Sequence, residues 1–135
     1  MSKPTGERYT IAVDFDGVIH SYTTPWINAH TIPDPPVEGA IEWLGQMVQK
    51  FQVIIHTTRG ETWRGRRAIR AWLKRYSQAL WWPAPGFVGI EEVRVVYKEP
   101  KALIYLDDRA VRFEGPGTFP TAEQIHRARP WNKQR

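Results

Sequence analysis

The stretch Ile11-Ala12-Val13-Asp14-Phe15-Asp16-Gly17 constrains this chain more than any other. Its apolar run has no polar face and is rich in β-branched residues, which predicts a strand buried on both sides. Strands of that kind belong to open α/β sheets, which bind ligands outside the carboxyl ends of their strands. Asp14 and Asp16 stand at such an end. Alternation along an extended segment turns both carboxylates one way and Phe15 the other, into the core. Gly17 lets the chain turn sharply behind them. Taken alone, two carboxylates one residue apart also fit a solvated strand end, or the metal-holding pair of a glycosyltransferase. The company they keep has to decide.

That company repeats the pattern. Residues 51–55 form a second β-rich apolar run, ending in His56-Thr57-Thr58-Arg59-Gly60. Residues 93–97 predict a third strand, followed by Lys98 and then Lys101. Residues 102–106 predict a fourth, read as buried, ending in Asp107-Asp108-Arg109. Between the first two runs, Val37, Ile41, Leu44, Val48 and Phe51 recur at helical spacing behind Asp34-Pro35-Pro36, a helix start with proline in its first turn. Residues 61–76 predict a second helix, with Ile69, Trp72, Leu73 and Tyr76 on its apolar stripe and Arg66, Arg67, Arg70 and Lys74 opposite. Residues 19–36 read as a flap loop; its Trp26, Asn28 and His30 are candidates to reach a substrate. Residues 77–92, with Trp81-Trp82-Pro83, read as another loop. Thr121 with Gln124 predicts a capping box opening a short helix. Residues 127–135 form a basic tail expected to be mobile. Strands separated by helices predict an α/β fold: Rossmann-like, three layers α/β/α, with a mainly parallel central sheet.

Length and composition narrow the classes. The 135 residues predict one domain over 1–135. Absence of cysteine rules out disulfides and thiolate metal sites. No apolar run approaches a membrane span, and the polar N-terminus does not resemble a signal peptide, so a cytoplasmic protein without membrane contact is expected. A formal charge of +5 favours anionic partners such as nucleotides, nucleic acids or other phosphates. Nothing in the sequence fixes the oligomeric state; a monomer is the simpler expectation.

A parallel sheet brings all these strand ends to one edge. Asp14, Asp16, Asp107 and Asp108 would repel one another there unless a cation sat between them, and oxygen-only donors select a hard ion, with Mg²⁺ the default. One carboxylate then serves as nucleophile and a second, protonated by its crowded setting, as general acid. Thr57, Thr58 and Arg59 offer hydroxyl and guanidinium donors to a phosphate. Thr57 or Thr58 equally suits a plain helix cap.

With these residues in order, the chain resembles the haloacid dehalogenase-like superfamily of phosphohydrolases. Asp14-Phe15-Asp16-Gly17-Val18 is similar to its first motif, Thr57 with Arg59 to its second, Lys98 to its third and Asp107-Asp108 to its fourth. The resemblance runs from Tyr9 to about Phe113. It implies that Asp14 forms an aspartyl-phosphate and that Asp16 protonates the leaving oxygen and then activates water. Thr57 and Lys98 hold the phosphate, with Lys101 an alternative to Lys98. Mg²⁺ is held by Asp14, the Asp16 carbonyl, and Asp107 or Asp108. Thr58, Arg59 and Gly17 are the further substrate-binding candidates. The intervals between motifs are too short for a cap domain, so an open site is implied. Thr-x-Arg and Asp-Asp-Arg are similar to the phosphatase domain of phage-type polynucleotide kinases. That favours a nucleotide or a nucleic-acid 3′-phosphate as substrate. A phosphatase of small metabolites, and a non-catalytic binder of nucleic acid or a protein partner using the basic helix, are the competing readings.

Overall fold

The computed structural model describes residues 8–79, 90 and 93–131. The strands are β1 (Thr10–Asp14), β2 (Gln52–His56), β3 (Arg94–Val96) and β4 (Ile104–Leu106), and the helices α1 (Ala40–Lys50), α2 (Trp63–Ala79) and α3 (Ala122–Arg127). All strand pairs are parallel, in the order β3-β2-β1-β4. The protein is thus α/β with an open parallel sheet, and the order is that of the first four strands of a Rossmann-type sheet. Among the described residues no helix is long and apolar enough to cross a membrane.

Register explains where the core lies. Ile11 is level with Val53, Val13 with Ile55, and Ile55 with Val95, so these side chains share one face. They pack with Ile41 and Leu44 of α1 and with Ile69, Trp72 and Leu73 of α2 in one buried cluster. Both packed helices therefore cover the same face. The other face, carrying Thr10, Gln52, Ile54, Arg94 and Val96, meets the extended connection through residues 98–101. The Tyr105 hydroxyl pins that connection by donating to the Pro100 carbonyl at 2.5 Å. Among the described residues, then, the expected second helical layer is replaced by extended chain; α3 buries no residue.

Other boundaries shift for identifiable reasons. α1 begins at Ala40, not at the proline pair, because Val37 donates its N–H to Ile19 (2.8 Å) and Pro36 bridges His20. Gly39 then turns left-handed, at φ 83°, to start the helix. The second helix is preceded by a 3₁₀ turn, Thr58–Glu61, whose Arg59 N–H donates to the Thr57 hydroxyl. β4 is not buried: Ile104, Tyr105 and Leu106 are 51%, 46% and 40% exposed, because no described helix reaches that edge. The capping box at Thr121 and Gln124 is present in both directions. Of the expected loop over residues 77–92, positions 77–79 belong to α2, while 80–89, with the Trp81-Trp82-Pro83 run, and 91–92 lie outside the described residues. The basic tail is described as far as Trp131, whose indole N–H donates to the Gly17 carbonyl at 2.6 Å.

Candidate active site

The strand order reverses direction between β1 and its two neighbours, and that switch point is where an open sheet forms a crevice. Val13 is level with Leu106, so the next residues, Asp14 and Asp107, emerge side by side. Asp14, Asp107 and Asp108 each bring a carboxylate oxygen within 4.8 Å of the others. Burial first, then the Asp107 and Asp108 carboxylates, push the Asp14 carboxyl up to about 8, against a lowering bond from the Phe15 N–H. Oδ1 of Asp108 is buried and has no hydrogen-bond partner among the described residues. A buried acceptor without a donor costs free energy, and a cation between the three carboxylates would remove both that cost and the repulsion. The donor set therefore fits a hard, oxygen-seeking cation.

The turn behind β1 is closed by Gly17, whose N–H donates to the His20 carbonyl at 2.8 Å. Its φ is 86°, and a Cβ there would overlap the Asp108 carboxylate. Gly17 thus seats Asp108 and spends its own N–H on the turn; it is not presented to a substrate. Gly17→Ala is expected to cost about 1–2 kcal/mol for the left-handed backbone alone, and to displace Asp108. Thermal unfolding with and without Mg²⁺ checks both effects: the variant should melt lower and respond less to the ion.

Asp16 stands apart from this trio. Its Oδ1 is 2.8 Å from His20 Nδ1, and the Arg59 Nε donates to Oδ2 at 2.8 Å and to Oδ1 at 3.1 Å. His20 Nε2 accepts the Asp34 N–H at 3.1 Å, so the proton of a neutral ring lies on Nδ1 and points to Asp16. Burial acts to raise the Asp16 carboxyl, but the bonds from His20 and Arg59 outweigh it and hold it below the usual range. The expectation of an acid kept protonated by crowding is thereby reversed: Asp14 is the raised carboxyl and Asp16 the lowered one.

Arg59 also departs from expectation. It is 1% exposed. Its Nη1 donates to the carbonyls of Asn28 (2.9 Å), Ala29 (3.2 Å) and Thr31 (3.0 Å), tying the flap to Asp16. A guanidinium so engaged holds the loop in place of a ligand. Asp34 anchors the flap's other limb, accepting from the Thr24 N–H (2.8 Å) and hydroxyl (2.6 Å), while the Trp72 indole donates to its carbonyl at 3.1 Å. Asn28 caps His30 locally, and neither lines the cavity over Asp14.

That cavity, about 260 Å³, is lined by Asp14, Asp16, Tyr22, Trp26, Thr57, Thr58 and Arg109. Lys98 and Lys101 do not line it. Both face the hollow on the uncovered sheet side, with Thr10 and Gln52 from the far ends of β1 and β2, because the connection after β3 crosses the sheet there. The cationic residue lining the cavity is Arg109, which is exposed; its backbone N–H donates to Asp107 Oδ1 at 2.7 Å and so fixes the main chain of the Asp-Asp-Arg turn. His20, Arg109 and Tyr22 escape sequence reasoning; only the Asp-Asp-Arg run points to one of them. No family model, characterised protein or solved structure matches this chain.

Proposed function

We propose that this chain is a cation-dependent phosphomonoester hydrolase working through an aspartyl-phosphate on Asp14, on a haloacid dehalogenase-like plan. One observation carries the reading: Asp14, Asp107 and Asp108 converge at the switch point, with an unpartnered acceptor on Asp108, beside a cavity holding Thr57 and Arg109. A pure binding surface has no use for three carboxylates gathered at its centre, and the charge of +5 on the whole chain favours a nucleotide or nucleic-acid phosphate.

Asp14, Asp107 and Asp108 would hold the ion, with Mg²⁺ the expected choice for an all-oxygen donor set. When bound, it supplies positive charge to a phosphoryl group and lets Asp14 ionise. In the first half-reaction a carboxylate oxygen of Asp14 bonds to phosphorus, the ester P–O bond breaks, and the leaving oxygen takes a proton. Arg109 and the Thr57 and Thr58 hydroxyls, whose residues line the cavity, would hold the phosphoryl oxygens, Arg109 taking the role first assigned to Lys98. In the second half-reaction water attacks phosphorus, gives a proton to Asp16, and orthophosphate leaves Asp14. Asp16, held ionised by His20 and Arg59, enters this second step in the proton-accepting form, and its bonds to Arg59 must loosen as it takes the proton. To give a proton in the first step it must first be protonated, which requires its bonds to Arg59 to loosen.

The test is phosphate release with Mg²⁺ from mononucleotides, a 3′-phosphorylated oligonucleotide and an aryl phosphate, beside Asp14→Asn. No turnover of any substrate by the wild type would defeat the reading. Cation binding has its own readout. Mg²⁺ added at pH 8 to chelator-treated protein is expected to raise the melting temperature, by the equivalent of about 2.7 kcal/mol at a hundredfold excess over Kd. Asp108→Asn should remove most of that rise.

A further inference from the structure

Two side chains of the cavity, Tyr22 and Trp26, have no part in the chemistry above. Trp26 lines the same space as Asp14 and Thr57, yet it is 48% exposed, on a flap that is otherwise tied down. One face of its ring is covered: the Arg59 guanidinium carbon lies 4.5 Å from the ring centroid. Arg59 in turn is fixed by Asp16 and by three flap carbonyls, so the indole rests on a rigid base. A large apolar ring left half in water at the mouth of a polar cavity is an unfinished contact. Asp14, Asp16, the two threonines and Arg109 also line the cavity; with the cation of the phosphatase reading on Asp14, what completes the contact at Trp26 is a ligand that is anionic at one end and flat at the other.

We propose that Trp26 is the substrate-selecting platform: the indole face turned away from Arg59 stacks on the base of a nucleotide whose phosphate ester reaches Asp14. This rests on the phosphatase reading and adds to it the chemical class of the leaving group. Stacking is tolerant of base identity because every base has a π-face, so the platform selects for the presence of a base and not for its sequence. Holding the indole in place beforehand lowers the ordering cost of binding. A cavity of about 260 Å³ has room for the phosphoryl group and the near part of its ester, leaving the base at the rim where Trp26 lies.

The experiment compares adenosine 5′-monophosphate, adenosine 3′-monophosphate and base-free ribose 5-phosphate in the wild type, Trp26→Ala and Trp26→Phe. Trp26→Ala is expected to lower kcat/KM about tenfold on whichever adenylate the wild type prefers, while ribose 5-phosphate stays within about twofold and Trp26→Phe recovers most of the loss. A purely structural role, in which the ring only shields Arg59, would lower all substrates alike, and that result, or no loss at all, overturns the platform while leaving the phosphatase reading intact. If the wild type turns over none of these esters, calorimetric binding decides instead. Adenylate binding tighter than ribose 5-phosphate, and equalised by Trp26→Ala, upholds the platform even as the phosphatase reading fails. Equal binding of the two, or none, overturns it.

Discussion

Asp14→Asn is expected to lower phosphate release by about 10⁴-fold or more, since an amide cannot form the acyl phosphate and loss of a nucleophile takes nearly the whole catalytic unit with it. The same substitution should have the opposite effect on stability. The Asp14 carboxyl is raised from an ordinary 3.8 to about 8, by burial first and Asp107 next. Between those values the folded chain keeps a proton that the unfolded chain has released. Stability contributed by this group is therefore complete below the lower value and falls as pH rises through the window. Asparagine carries no such charge. In chelator, the variant should melt several degrees above the wild type at pH 8, with the gap closing towards pH 4. Parallel melting curves across that range would show that Asp14 bears no such repulsion. A variant that is inactive and yet more stable would also separate loss of chemistry from loss of fold.

Arg59→Ala is expected to cost about 3–5 kcal/mol, the usual penalty for removing one partner of a buried ion pair. Asp16 would keep only its bond from His20, and the carbonyls of Asn28, Ala29 and Thr31 would lose their donor. Against a typical domain stability of about 5–15 kcal/mol this is a large share. Lysine should not rescue it, because an ammonium cannot span Asp16 and the flap with one planar fork. Chemical denaturation measures the loss. A change within about 0.5 kcal/mol, as for an ordinary surface site, would mean that the flap holds itself without the guanidinium.

How much of this was readable depended on whether the determinant was local. The buried runs of β1 and β2 and the capping box at Thr121 are written in consecutive residues, and the structure has them within a residue or two. Asp14 and Asp107-Asp108 were legible because parallel strands deliver their ends to one edge. His20 was not, since its meeting with Asp16 depends on how the turn closes behind Gly17. Lys98 was misplaced because a sequence does not state which way a connection crosses a sheet. β4 was read as buried because an apolar run announces a strand without saying whether anything packs on it; its exposed side chains show the difference. Arg59 was recognised as important but given the wrong partner: besides the Asp16 carboxylate its acceptors are backbone carbonyls, which leave no trace in side-chain identity.

That last feature bears on how such a protein changes over generations. A clamp that grips carbonyl oxygens is blind to the side chains around it, since every residue offers the same oxygen. Positions 27–31 can then accumulate substitutions while the loop keeps its path, without risk to the floor of the cavity. Arg59 itself has no such freedom, because one guanidinium serves both the loop and Asp16. Diversity in descendants of this chain should therefore gather on the flap, around an arginine that does not vary.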